Sequence, residues 1–186
     1  MKLGPRAQLL LIASLFVLPI VASTLAYRYG HRAPTANHGE LLLPPGQVSD
    51  RSFGRPGGGA FSFRELRGRW ALVAVDSGAC AQPCRDKLTV MRQVRLALGR
   101  NASRVARVLF VDDGQPPDMA ALAPFGGTEV AVAPKGAAIA PAAAGDRSRV
   151  YLVDPHGNVM MRWEARADPQ GMIKDLDRLL KASQIG

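Results

Sequence analysis

Trp70-Ala71-Leu72-Val73-Ala74-Val75, then Asp76-Ser77, then Gly78-Ala79-Cys80-Ala81-Gln82-Pro83-Cys84-Arg85: an unbroken apolar run leads almost at once into the only two cysteines of the chain. A continuous apolar run of this length reads as a strand buried on both faces. Beyond the pair, Leu88, Met91, Val94 and Leu98 recur at helical spacing and mark one face of a helix that begins near Arg85 and stops near Gly99. A strand that delivers two thiols to the start of a helix suits redox exchange or capture of a soft metal. The unpaired N–H groups and positive dipole end of the helix favour thiolate over thiol. A small structural disulfide, or two thiols without a role, is the plainer reading of the same pair.

Working outward, Val105 to Val111 is a second apolar run that ends in Asp112-Asp113-Gly114. A helical crossover between the two runs makes them parallel neighbours. Gln115 to Gly145 is rich in Ala, Pro and Gly without a clear period, with one short helix expected over Asp118–Pro124. Arg149–Val153 reads as a strand and Asp154-Pro155-His156-Gly157 as a type I turn. Asn158–Glu164 alternates, placing Val159, Met161 and Trp163 on one face of an antiparallel hairpin partner. Asp168 and Pro169 supply an N-cap and a first helical residue, and Met172, Ile173, Leu176, Leu179 and Leu180 stripe a closing helix. Phe61 to Gly68 is a short lead-in to the first core strand. Strand, helix, strand, then hairpin and closing helix is the thioredoxin order. The expected fold class is α/β, a thioredoxin-like three-layer domain with a central mixed sheet over residues 60–186.

Gln8 to Ala26 carries no charge and is almost wholly apolar, with Lys2 and Arg6 before it and Arg28 and Arg32 after it. A membrane-crossing helix needs about 20 such residues at about 1.5 Å each. Ala22-Ser23-Thr24-Leu25-Ala26 makes a poor cleavage site, so residues 1–27 are expected to be an uncleaved, single-pass anchor. Residues 28–59 turn to Gly, Pro, Asn, His and Arg and are expected to be a linker arm, in which Leu41-Leu42-Leu43 is apolar enough to pack along the domain or near the membrane. A lone close-set cysteine pair suits an oxidising compartment. The expected location is the inner membrane with the domain in the periplasm. The net charge of +9 comes with no nucleic-acid motif, and is read as meeting anionic headgroups or an acidic protein surface.

From Phe61 onward the chain resembles the Sco/SenC family, membrane-anchored thioredoxin-like proteins that serve copper delivery to cytochrome c oxidase. The resemblance is carried by Leu66-Arg67-Gly68-Arg69-Trp70, by the three-residue gap between Cys80 and Cys84, and by Asp146-Arg147-Ser148 before Val150-Tyr151-Leu152-Val153-Asp154-Pro155. It implies Cys80 and Cys84 as the redox pair and as copper ligands, and cytochrome c oxidase or its assembly factors as partners. It implies neither nucleic acid nor a small-molecule substrate. Two departures stand out. The family motif Cys-Pro-x-x-Cys-Pro reads Cys80-Ala81-Gln82-Pro83-Cys84-Arg85 here, and the family's ligand histidine is replaced by Arg147. A guanidinium offers no lone pair to a metal.

No other histidine substitutes on sequence grounds. His156 should lie at the far end of the Arg149–Val153 strand, on the order of 20 Å away, and His31 and His38 fall on the arm. Two thiolates alone can still hold Cu(I). Arg147, Arg85 and Lys87, if near the sulfurs, would favour thiolate, or they are ordinary surface charge. The leading expectation is a dithiol reductant or transient Cu(I) holder, with Cys80 the more exposed, attacking thiol and Cys84 resolving. The alternatives are a general periplasmic thiol–disulfide oxidoreductase and a catalytically silent interaction domain with a fixed disulfide.

Overall fold

The computed structural model describes residues 4–29 and 37–183. Contacts divide the chain into two compact units, Met1–Ala36 and Asn37–Gly186. In the first, α1 (Pro5–Tyr29) is a helix of 25 residues, about 37 Å long. Large apolar side chains along it, among them Leu15, Phe16, Leu18 and Ile20, are exposed. Among the described residues no helix is long and apolar enough to cross a membrane. The uncharged span Gln8–Ala26 falls within α1, and residues 1–3 of the anchor expected over 1–27 lie outside the described residues.

The second unit is built on one eight-stranded mixed sheet of order β1-β8-β7-β4-β5-β6-β2-β3. At its centre β4 (Trp70–Asp76) and β5 (Val105–Val111) run parallel, as the helical crossover requires. β7 (Arg149–Val153) lies antiparallel on the other side of β4, and β8 (Asn158–Glu164) completes the hairpin. β4 is buried on both faces. Trp70, Leu72 and Ala74 join one core cluster, and Ala71, Val73 and Val75 join the other.

The first cluster is covered by α2 (Gln82–Ala97) through Leu88, Met91 and Val94, and by α4 (Pro169–Ala182) through Met172, Leu176 and Leu180. Asp168 caps α4, accepting from Gln170 N, and Pro169 opens it. Both long helices therefore share one face. The expected third layer consists of a 3-10 turn at Phe63–Leu66, the Ile139–Ala143 stretch and an aromatic cluster of Phe53, Phe61, Phe63 and Phe110, not of a helix.

Three further differences have physical causes. Part of the stretch expected as a linker, Glu40–Gln47, is the edge strand β1, paired with β8. Pro44 and Pro45 fit there because an edge strand needs only one row of donors, and the register shifts between Leu41 and Gly46 to pass them. Leu41 and Leu42 pack along the domain. Glu129–Val132, which shows no sequence period, forms the strand β6 by pairing parallel to β5, and β2 (Phe53–Gly54) with β3 (Ala60–Phe61) extends that edge. The short helix α3 (Met119–Leu122), capped by Asp118, falls where expected. Val159 does not share a face with Met161 and Trp163. A bulge opposite Leu152/Val153 turns Val159 into the other core cluster.

Candidate functional site

β4 leaves the sheet at Asp76, and the chain turns through Ser77–Ala81 into α2, which starts three residues earlier than the apolar spacing predicts. Cys84 thus sits in the first turn of the helix. Its N-cap is Ala81, which provides no side-chain acceptor for the first N–H groups.

Cys80 and Cys84 are joined in a disulfide with their Cα atoms 5.0 Å apart. Both are fully buried, so Cys80 is not the exposed partner that its loop position predicts. The turn folds inward because it is held from outside. Gly78 N donates to both carboxylate oxygens of Asp113 at 3.2 Å, and Asp118 N donates to Gly78 O at 2.8 Å. A Cβ on Gly78 would stand 2.7 Å from the carbonyl oxygens of Gln115 and Pro116, so no larger residue fits this approach. Cys80 itself is left-handed, with φ of 39°. For a residue with a Cβ that conformation costs about 1–2 kcal/mol.

From sequence, three cations either favour thiolate here or are ordinary surface charge. Arg85 is in place: its Nη1 donates to Cys80 O at 3.1 Å. Lys87 and Arg147 are neutralised. Lys87, 1% exposed and on the same face of α2 as Cys84, holds Asp76 Oδ2 at 2.7 Å and donates to Val75 O and Arg147 O. Arg147 donates through both Nε and Nη2 to Asp112 Oδ1, which draws its pKa up through that hydrogen bond.

The segment carrying Arg147 is fixed in turn. Ser148 donates from N and Oγ to Asp146 Oδ1, and Tyr151 donates to Asp146 O at 3.2 Å. Burial, with the Asp146 charge nearby, pushes the Tyr151 phenol up to about 12. Val150 pairs with Ala74, so β7 does begin beside the end of β4 and the cysteine turn. Asp112, Asp113, Lys135 and Arg147 line an open groove at this end of the sheet.

The histidines lie elsewhere. His156 is in the turn beyond Val153, which pairs with Ala71 at the opposite end of β4. His38 is bound to α4, its N–H donating to Asp175 at 3.0 Å and its Nδ1 at 3.3 Å from the same carboxylate. His31 lies outside the described residues. Among the described residues no three of His, Cys, Asp and Glu come together to hold a metal. The donors a soft metal ion would meet at this turn are the two sulfurs, once reduced. They fit a two-coordinate Cu(I), and among the described residues no third ligand completes a site for Cu(II).

Sequence reasoning missed the two ion pairs that frame the turn. Lys87 carried a signal, since it falls on the apolar face one turn from Cys84 and beside Leu88, where a lysine needs an anion. Asp112 carried none, because its partner lies 35 residues away.

The family model for the transmembrane-like, thioredoxin-like C-terminal domain matches residues 70–183. The chain belongs to that family. No curated protein matches the chain. Solved structures of similar fold include Sco/SenC proteins and a putative protein disulfide isomerase from Bacteroides thetaiotaomicron. Copper-bound yeast Sco1 superimposes with a TM-score of 0.62 at 14% identity, over 75% of this chain and 95% of that one. A SCO1/SenC family lipoprotein from Bacillus anthracis gives 0.59 at 17%, over 75% and 99%. Copper-bound ScoI of Bradyrhizobium japonicum gives 0.54 at 20%, over 71% and 98%. At these identities the likeness is one of fold, and the family's match begins at Trp70, the residue that opens β4.

Proposed function

We propose that this member of the family is a membrane-anchored periplasmic thiol–disulfide exchange protein that serves cytochrome c oxidase assembly. The observation that carries the reading is the closed Cys80–Cys84 disulfide at the junction of β4 and an uncapped helix, on a Sco-like fold. In the reduced protein, the helix N-terminus and Arg85 stabilise a thiolate. The Cys80 thiolate attacks a client disulfide and releases one client thiolate. The Cys84 thiolate then attacks Cys80 in the mixed disulfide and releases the second. Two electrons pass to the client and the Cys80–Cys84 disulfide remains. Because both sulfurs are buried when oxidised, reduction of this disulfide requires the Ser77–Cys80 turn to open. Opening releases the left-handed backbone at Cys80.

Holding Cu(I) between two thiolates is the secondary activity of the same pair, weakened by the Arg147–Asp112 ion pair where the resemblance places a histidine. The anchor is supported by the uncharged Gln8–Ala26 stretch and by the apolar side chains exposed around α1. Full burial of both sulfurs favours one rival, a fixed structural disulfide. Cys84→Ala in the full-length, detergent-solubilised protein separates the two. Exchange predicts a trapped mixed disulfide between Cys80 and an oxidised dithiol substrate, and a fixed bridge predicts none.

A further inference from the structure

Arg107 sits on β5, opposite Leu72, on the side of the sheet that faces α2, and is only 5% exposed. Its Nη2 donates to Gly126 O at 2.7 Å. Its Nε and Nη1 are buried without a partner, as is the Thr128 hydroxyl. Among the described residues no carboxylate pairs with it. Its charged neighbours are Arg95 and Arg92 on α2, and burial followed by their repulsion pushes its pKa down. Arg95 reaches Val105 O through Nε at 2.7 Å, and Arg92 reaches Pro124 O through Nη1 at 3.3 Å. Three guanidinium groups therefore gather where the Pro124–Thr128 segment crosses the end of the sheet distant from the cysteines.

A buried guanidinium with open donors and only cations around it is unfavourable unless an anion completes it. Its planar fork matches an oxyanion, and it stays charged where a lysine would lose its proton. Gly127, with φ of 76°, carries the Pro124–Thr128 segment past Nη2, the one guanidinium nitrogen that already has a partner. Arg92 is exposed on α2 and held by one long bond, which makes it the side from which a ligand enters.

We propose that Arg107, flanked by Arg95 and Arg92 and with the Thr128 hydroxyl, forms a site for a small oxyanion, a phosphate or a carboxylate. The site is separate from the cysteine pair and independent of its redox role.

The test is the thermal midpoint of the full-length protein in detergent as sodium phosphate, sodium sulfate or sodium acetate replaces sodium chloride at constant ionic strength. A bound ligand raises the midpoint along a saturable curve, whereas general salting effects rise without limit. The expected result is a saturable rise for at least one oxyanion, lost in Arg107→Met and weakened about tenfold in apparent Kd in Arg95→Ala. Phosphorus NMR line broadening of inorganic phosphate by the wild-type protein reads the same site without relying on a variant that folds. A response to acetate alone identifies a carboxylate ligand, and a response to phosphate or sulfate identifies a tetrahedral one. Absence of a saturable rise with every salt overturns the proposal. So does an equal rise in Arg107→Met, or an unchanged one in Arg95→Ala if Arg107→Met does not fold.

Discussion

The Arg147 guanidinium donates through Nε to Asp112 Oδ1 at 2.9 Å, tying the segment before β7 to the end of β5 beside the cysteine turn. The pair fills the corner where the resemblance places a metal-binding histidine. It gives this corner a closed salt bridge, and among the described residues the two cysteine sulfurs are the soft ligands left beside it.

Arg147→His should therefore create what the native chain lacks. An imidazole added to two thiolates suits Cu(II), and Asp112, freed of its guanidinium, can orient the ring from behind. The reduced variant should bind Cu(II) at least about tenfold more tightly than the native protein, a difference of about 1.4 kcal/mol. Electron paramagnetic resonance should show mixed nitrogen and sulfur ligation in the variant only. The same spectrum from the native protein would place Arg147 outside this corner.

Lys87→Met should destabilise the domain by about 3–5 kcal/mol, because it strands the Asp76 carboxylate, 13% exposed, beside a core. Lys87→Met combined with Asp76→Leu should recover most of the loss, since an apolar pair replaces both charges. Urea denaturation reads both. An equal loss in the single and double variants would mean that packing, not charge, decides the site.

Asp175 accepts from His38 N, Gly39 N and Trp163 Nε1 from within α4, and so fastens the start of β1 to the closing helix. Asp175→Ala leaves two buried donors and one part-buried donor unmatched and should cost about 3 kcal/mol. Burial opposes ionisation of this carboxylate, but the backbone donors of Gly39 and His38 together with the Trp163 and His38 side chains hold the pKa below the ordinary aspartate range. A pKa lower in the folded than in the unfolded state stabilises above the unfolded value of about 3.9. That stability is lost as the pH falls through the folded value. Urea midpoints measured from pH 5.5 down to 2.5 should fall in the native protein, and fall less steeply in Asp175→Ala. Parallel slopes would exclude Asp175 as a source of acid sensitivity.

What was legible in the sequence was whatever repeats locally. Trp70–Val75, Leu88-Met91-Val94 and Asp168-Pro169 each carry their structure in their own spacing, and they give the central strands, α2 and the start of α4. Glu129–Val132 and Glu40–Gln47 become strands only because β5 and β8 offer partners, so composition read them as loop and linker. The cysteines were legible as a site, but their burial was not. It depends on Asp113 and Asp118, brought to Gly78 from more than 30 residues along the chain. Asp175 sat unread inside an apolar helical stripe, where a carboxylate signals a buried acceptor that needs distant donors.

The central claim is that Cys80 and Cys84 exchange electrons with a client. The measurement that tests it most directly is the reduction potential of the Cys80–Cys84 disulfide in the full-length protein, equilibrated against dithiol redox buffers. Structural disulfides lie below about −300 mV and resist the thiol pool, whereas catalytic ones lie higher. The account predicts a value clearly above about −300 mV, between the thioredoxin-like and isomerase-like ranges of about −270 and −180 mV. A value below about −300 mV would contradict it and identify the pair as a fixed bridge.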